Sequence, residues 1–133
     1  MITVGVATTK EAMLQIVFNE ISAAEISQIP TLEQLDLLGE FQVSESTLQN
    51  LAGTSFGIIE HDGKSLYRFR AKDYRIYFEI LDGKVVVHRV LDKNSFSDFL
   101  FRSKLSNVNE DEILKESKTF WKLIEEGKNA QRK

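Results

Sequence analysis

The sequence predicts an α+β domain: an N-terminal strand and a helical hairpin packed on an antiparallel β-meander, followed by an extra C-terminal amphipathic helix. Three observations carry that expectation. Residues 56–91 are rich in β-branched and aromatic side chains, alternate in polarity and are interrupted only by short turn pairs. The stretch before them carries apolar residues at helical spacing on either side of Pro30, the only proline. From residue 109 onward the chain again has helical spacing, with acids first and bases last.

Taken in order, Ile2-Thr-Val-Gly-Val6 is short and β-branched and reads as a strand. Thr8 with Glu11 fits a capping box, and Ala12, Met13, Ile16 and Val17 recur as on one helical face. Thr31 with Gln34 repeats the signature after Pro30, which suits only a first helical turn, and Ile29, Leu32, Leu35, Leu38 and Phe41 form the stripe of a second helix. Residues 44–53 read as a short helical turn stopped at Gly53. Four strands follow, Phe56–Glu60, Leu66–Ala71, Tyr74–Leu81 and Lys84–Leu91, with turn signals at Asp62-Gly63, Lys72-Asp73 and Asp82-Gly83. Phe96, Phe99, Leu100 and Leu105 predict a helix that closes a domain spanning residues 1–105. Residues 106–133 form a helical extension, with Ile113, Leu114, Phe120, Trp121 and Ile124 on one side.

Composition narrows the function. A chain of 133 residues, 42% of them hydrophobic, suffices for one domain that buries about two-thirds of its unfolded surface without a disulfide or metal staple. It has no cysteine, which excludes thiol nucleophiles and cysteine-based metal sites. Two histidines without a His-Glu-x-x-His spacing speak against a catalytic zinc, and no glycine-rich nucleotide loop is present, so no metal or small-molecule cofactor is expected. His61, beside the Asp62-Gly63 turn, reads as a solvated loop residue. No apolar run reaches the ~20 residues of a membrane span, and the first residues lack the pattern of a signal peptide, which predicts a cytoplasmic protein. Charge is unevenly spread. Residues 1–61 hold eight acids and one base, net −7; residues 62–105 hold ten bases and six acids, net +4; the remainder balances. That asymmetry places any polyanion contact in the second half, while the overall pI of 5.4 is low for a dedicated nucleic-acid binder.

Two-residue turns set strand register, and register sets which side chains share a face. Around Asp82-Gly83, Ile80 faces Val85, Tyr77 faces His88 and Arg75 faces Val90; around Lys72-Asp73, Arg70 faces Arg75 and Arg68 faces Tyr77. Tyr67, Phe69, Tyr74, Ile76, Phe78, Ile80, Val85, Val87 and Leu91 then form the core face. The opposite face gathers Arg68, Arg70, Arg75, Tyr77, Glu79 and His88 and is expected to look outward, with Arg89 left on the core side to snorkel or pair with an acid. Guanidinium forks match phosphate oxygens, and an imidazole beside them can move a proton near neutrality. Together these groups suit metal-free RNA cleavage, in which a 2′-hydroxyl attacks its own phosphate. The alternative is a charged face whose arginines pair with Glu79, Asp73 and helix acids.

Leu48-x-x-Leu51-x-Gly53, Leu66-Tyr67-Arg68-Phe69-Arg70, Asp73-Tyr74-Arg75-Ile76-Tyr77-Phe78-Glu79-Ile80 and Val85-Val86-Val87-His88-Arg89-Val90-Leu91 resemble the RelE/ParE toxin superfamily over about residues 1–105. The resemblance implies the toxin of a toxin–antitoxin pair, partnered by a cognate antitoxin. RelE-like members cleave mRNA on the ribosome without a metal and so repress translation, whereas ParE-like members bind and inhibit DNA gyrase. In the ribonuclease branch, basic residues on the first meander strands hold the phosphate, which here would be Arg68, Arg70 and Arg75. The family completes its site with a basic segment containing His or Tyr after the last strand. Here that stretch is Asp92-Lys93-Asn94-Ser95-Phe96, so Lys93 or His88, with Tyr77 nearby, would take the proton-transfer role. A non-catalytic member that acts by protein binding is the alternative.

Overall fold

The computed structural model describes residues 12–92 and 110–132. Its centre is a five-stranded mixed sheet in the order β1-β5-β4-β3-β2. The strands are β1 (Ile16–Phe18), β2 (Phe56–His61), β3 (Lys64–Ala71), β4 (Tyr74–Leu81) and β5 (Lys84–Asp92). Strands β2 to β5 form the antiparallel meander expected from the turn signals. Asp62-Gly63 and Asp82-Gly83 both hold positive φ at each central residue, the conformation that matches the twist of a two-residue hairpin. Arg70 faces Arg75, Arg68 faces Tyr77 and Ile80 faces Val85, as turn length dictates.

Helices α1 (Glu20–Ser27), α2 (Thr31–Glu40) and α3 (Glu45–Gln49) precede the meander, while α4 (Glu110–Lys115) and α5 (Lys118–Asn129) follow it. Ile26 of α1, Leu37 of α2 and Ile29, Phe41 and Val43 of the connecting turns join a core built on Phe69, Ile76, Phe78, Val85, Val87 and Val90, against which Leu48 of α3 packs. The last two contribute Leu114, Phe120 and Ile124 to a second core with Ile59, Leu66, Tyr77 and Leu91. The sheet is therefore covered on both faces, one of them by residues 110–132.

Four expectations are corrected. The helix read over residues 8–17 is, where described, irregular at 12–15 and extended at Ile16–Phe18, which pairs in parallel with Val85–Val87. The open edge of β5 recruits this β-branched segment, and ladder hydrogen bonds override its helical periodicity. The first helix of the hairpin starts instead at Asn19, whose side chain accepts the Ser22 N–H while the Ser22 hydroxyl accepts the Asn19 N–H. Of the stripe expected along α2, Ile29, Leu38 and Phe41 lie in or against the core, but Leu32 and Leu35 are 78% and 61% exposed and Leu37 is buried instead. The single C-terminal helix is two, because the Ser117 hydroxyl accepts the Phe120 N–H and starts a new helix there. The 2–6 strand, the start of the 8–17 helix and the helix expected from Phe96 to Leu105 lie outside the described residues.

The fourth correction governs the site. A bulge between Tyr77 and Phe78 pairs Tyr77 with Arg89 and Phe78 with Val87, leaving His88 without a directly opposite residue. Arg75 consequently faces Leu91, not Val90. One extra residue inverts the facing of everything beyond it. Hence Val90 joins the first core and Leu91 the second, the reverse of the turn-length expectation.

Candidate functional site

The meander brings Arg68, Arg70, Arg75, Tyr77, Glu79 and His88 to the sheet face that α4 and α5 cover. This face was expected to look outward; instead Arg68, Arg75, Tyr77 and His88 are all buried. Acids at the start of α4 explain how three arginines tolerate that position. Arg75 donates from Nε to Glu110 Oε2 at 2.8 Å and from Nη2 to Oε1 at 3.2 Å, and its Nη1 reaches the carbonyls of Lys72 and Tyr74. Arg68 grips Asp111 in the same forked manner, at 3.2 and 2.8 Å, and donates to the Ser55 carbonyl. These are the two-point geometries that a guanidinium would offer a phosphate, here filled by carboxylates. Gly57 makes room for the second fork, since a Cβ there would run into the Arg68 guanidinium.

Arg70 differs. Its only acidic neighbour among the described residues is Glu110 at 3.9 Å, a carboxylate already engaged by Arg75. Its Nε has no hydrogen-bond partner among the described residues, and its side chain is 36% exposed. Two cations thus share one anion, leaving a net positive charge at Arg70.

His88 and Tyr77 are both buried on this face. The His88 Nε2 lies 2.7 Å from Glu79 Oε1, and Lys128 of α5 approaches the same oxygen at 3.2 Å. Burial pulls the imidazole below its ordinary 6.5; the Glu79 carboxylate opposes this, and Lys128 and Arg132 add to the lowering. The ring is therefore neutral at physiological pH, with its proton on Nε2 toward Glu79 and a buried, unpartnered Nδ1. For Glu79, burial pushes the carboxyl up, but hydrogen bonds from His88 and Lys128 outweigh it and hold the carboxyl below 4.5. Burial, followed by the charges of Glu110 and Asp111, drives the Tyr77 phenol well above its ordinary value, so it stays protonated. Lys93 lies outside the described residues. Arg89 does find acids, pairing with Glu25 at 2.7 Å and with Glu126 at 3.4 Å. His61 is not a free loop residue, because its ring stacks on Trp121 with centroids 5.1 Å apart.

Three features escaped the sequence reading. Glu110 and Asp111 read as ordinary first-turn acids, although the surplus of bases in 62–105 was a signal that acids elsewhere must answer them. Asn19 is a hub: its Nδ2 lies within 2.8–3.1 Å of the carbonyls of Val87, His88 and Gly127, joining α1, the bulge and α5. The third is an open cleft of about 760 Å³ at the end of β3, lined by Arg70, Lys72, Phe56 and α3, which no sequence spacing revealed. Among the described residues no group of three His, Asp or Glu side chains is placed to hold a metal ion, and no helix is long and apolar enough to cross a membrane.

Compared with protein-family models, with curated proteins and with solved structures, the chain matches none.

Proposed function

We propose that this protein is the toxin of a toxin–antitoxin module with a RelE/ParE-type fold, acting in the cytoplasm on mRNA at the ribosome as a metal-free endoribonuclease. The observation that supports the reading is the gathering of Arg68, Arg70 and Arg75 on adjacent strands of a four-stranded meander. Arg70 holds the only one of the three guanidinium groups not committed to a close carboxylate. A cognate antitoxin would be its protein partner. The test is a toeprint of mRNA on translating ribosomes: the reading expects new 3′ ends within the A-site codon, lost in Arg70→Ala. Intact mRNA at saturating protein contradicts it.

A second reading has its own observation. Arg68 and Arg75 are paired and buried and His88 is tied to Glu79, so a non-catalytic member that acts by protein binding, gyrase inhibition included, needs no exposed site on this face. Unchanged mRNA together with inhibited supercoiling by gyrase would select it.

A further inference from the structure

We propose that the cleft between α3 and the end of β3 binds one nucleotide unit of single-stranded RNA, its phosphate on Arg70 and Lys72 and its base against Phe56. The inference deepens the RNA-directed reading above and rests on it for the class of ligand; the position of the site comes from the distribution of charge in the structure.

The arginine face cannot take a phosphate as it stands. Arg68 and Arg75 each spend their fork on a carboxylate of α4 within 2.8–3.2 Å. Arg70 receives no such compensation. It reaches the cleft, where Lys72 is exposed two residues further along the same strand end. Among the described residues no carboxylate lies within salt-bridge distance of Lys72. Two cations lining one cleft repel unless an anion neutralises them.

The remaining lining suits a nucleotide better than a bare anion. Phe56 is half-buried and leans on Phe69 with ring centroids 4.9 Å apart, so its position is fixed by the first core. An aromatic ring held beside cations is the arrangement that binds single strands, with stacking worth about 1–3 kcal/mol per base. Asn50, which donates through Nδ2 to the Ser46 carbonyl, is among the polar residues that line the cleft. Glu40 also lines the cleft and supplies an acceptor for an exocyclic amine or a ribose hydroxyl, while excluding a second phosphate. The volume lies in the usual range of about 300–1,000 Å³ for small-ligand sites. A recess of this kind admits an unstacked nucleotide and not a duplex, whose bases are covered by their neighbours.

The test is fluorescence anisotropy of the full chain with a labelled 2′-O-methyl RNA of about ten nucleotides, a length within ordinary single-strand site sizes and lacking the 2′-hydroxyl needed for cleavage. Arg70→Gln with Lys72→Gln is expected to weaken binding about tenfold or more and to flatten the salt dependence, since two phosphate contacts are removed. Lys118→Gln with Lys122→Gln, which removes two exposed charges on α5, is expected to change binding less than twofold. The proposal is overturned if the full chain does not bind the RNA at low salt, if the α5 pair weakens binding as much as the cleft pair, or if inorganic phosphate competes as well as a nucleoside monophosphate. Toeprinting of the same variants separates this proposal from the catalytic one. RNA binding that needs the cleft, without mRNA cleavage, retains the cleft and removes the endoribonuclease reading. Cleavage that persists undiminished in the cleft variant removes the cleft, and removes Arg70 from the endoribonuclease reading.

Discussion

Replacing Arg75 by alanine leaves the Glu110 carboxylate buried without its main cation. Arg75 is 3% exposed and makes four hydrogen bonds, two of them to backbone carbonyls. Breaking one side of such a pair costs about 3–5 kcal/mol, so Arg75→Ala is expected to lose a large part of the domain's stability in urea titration. An unchanged midpoint would mean that Glu110 is solvated rather than paired. This reverses the expectation for an outward strand arginine, whose loss costs little. His88 gives a second residue-scale prediction. Its folded value lies below the ordinary 6.5, so below that pH the unfolded chain binds the extra proton and stability falls as acid is added. Glu79, held below 4.5, acts with the same sign lower down. The melting temperature should therefore drop as pH is lowered from about 7 to about 5.5, and His88→Gln should flatten that drop, because an amide still donates to Glu79 without titrating. Equal slopes in both proteins would show that the His88 ring is not held neutral.

Helix α5 and the β5 bulge form one unit at the scale of elements. Gly127 rests on the His88 backbone so closely that a Cβ there would collide with the His88 carbonyl oxygen, and Asn19 ties both to α1. Glycine to alanine inside a helix ordinarily gains about 1 kcal/mol. Here the obstacle is backbone, which cannot swing aside, so Gly127→Ala is expected to destabilise the protein and to raise exposure of Trp121, read as a fluorescence red shift. Stabilisation would mean that α5 docks loosely. The same junction marks where the sequence stopped being informative. Turn residues specified three hairpins and, through Asp62-Gly63, Lys72-Asp73 and Asp82-Gly83, their register near each turn. The bulge at Tyr77/Phe78 left no such mark, since Val85-Val86-Val87 fits either facing. Its origin is tertiary: the contacts of α5 and Asn19 favour one added residue there. Leu32 and Leu35 were misplaced for a related reason, because their helical spacing is sound and only the packing of Leu37 decides which face of α2 turns inward.

Across the described residues, the sheet is held between two helical layers, and the second layer neutralises Arg68 and Arg75, two of the three arginines on the face it covers. The meander was legible because it alternates locally, and α2 because its apolar residues repeat; α1 was not, since the periodicity read ahead of it belongs to β1. The second layer was not, because Arg68–Asp111 and Arg75–Glu110 join positions 43 and 35 residues apart, and only folding brings those charges together. Arg68, Arg70 and Arg75 were thus correctly placed on one face, but their availability was misjudged for two of the three. What remains accessible is Arg70, at a cleft that depends on α3 and the strand ends together. The measurement that tests this account most directly is amide hydrogen exchange of the full chain, followed by mass spectrometry of its peptides. The account predicts that peptides covering α4 and α5 are protected to the same degree as β4, opening only when the whole domain unfolds. Complete exchange of residues 110–129 within seconds, while β4 stays protected, would mean that the helices leave the arginine face open, and would contradict it.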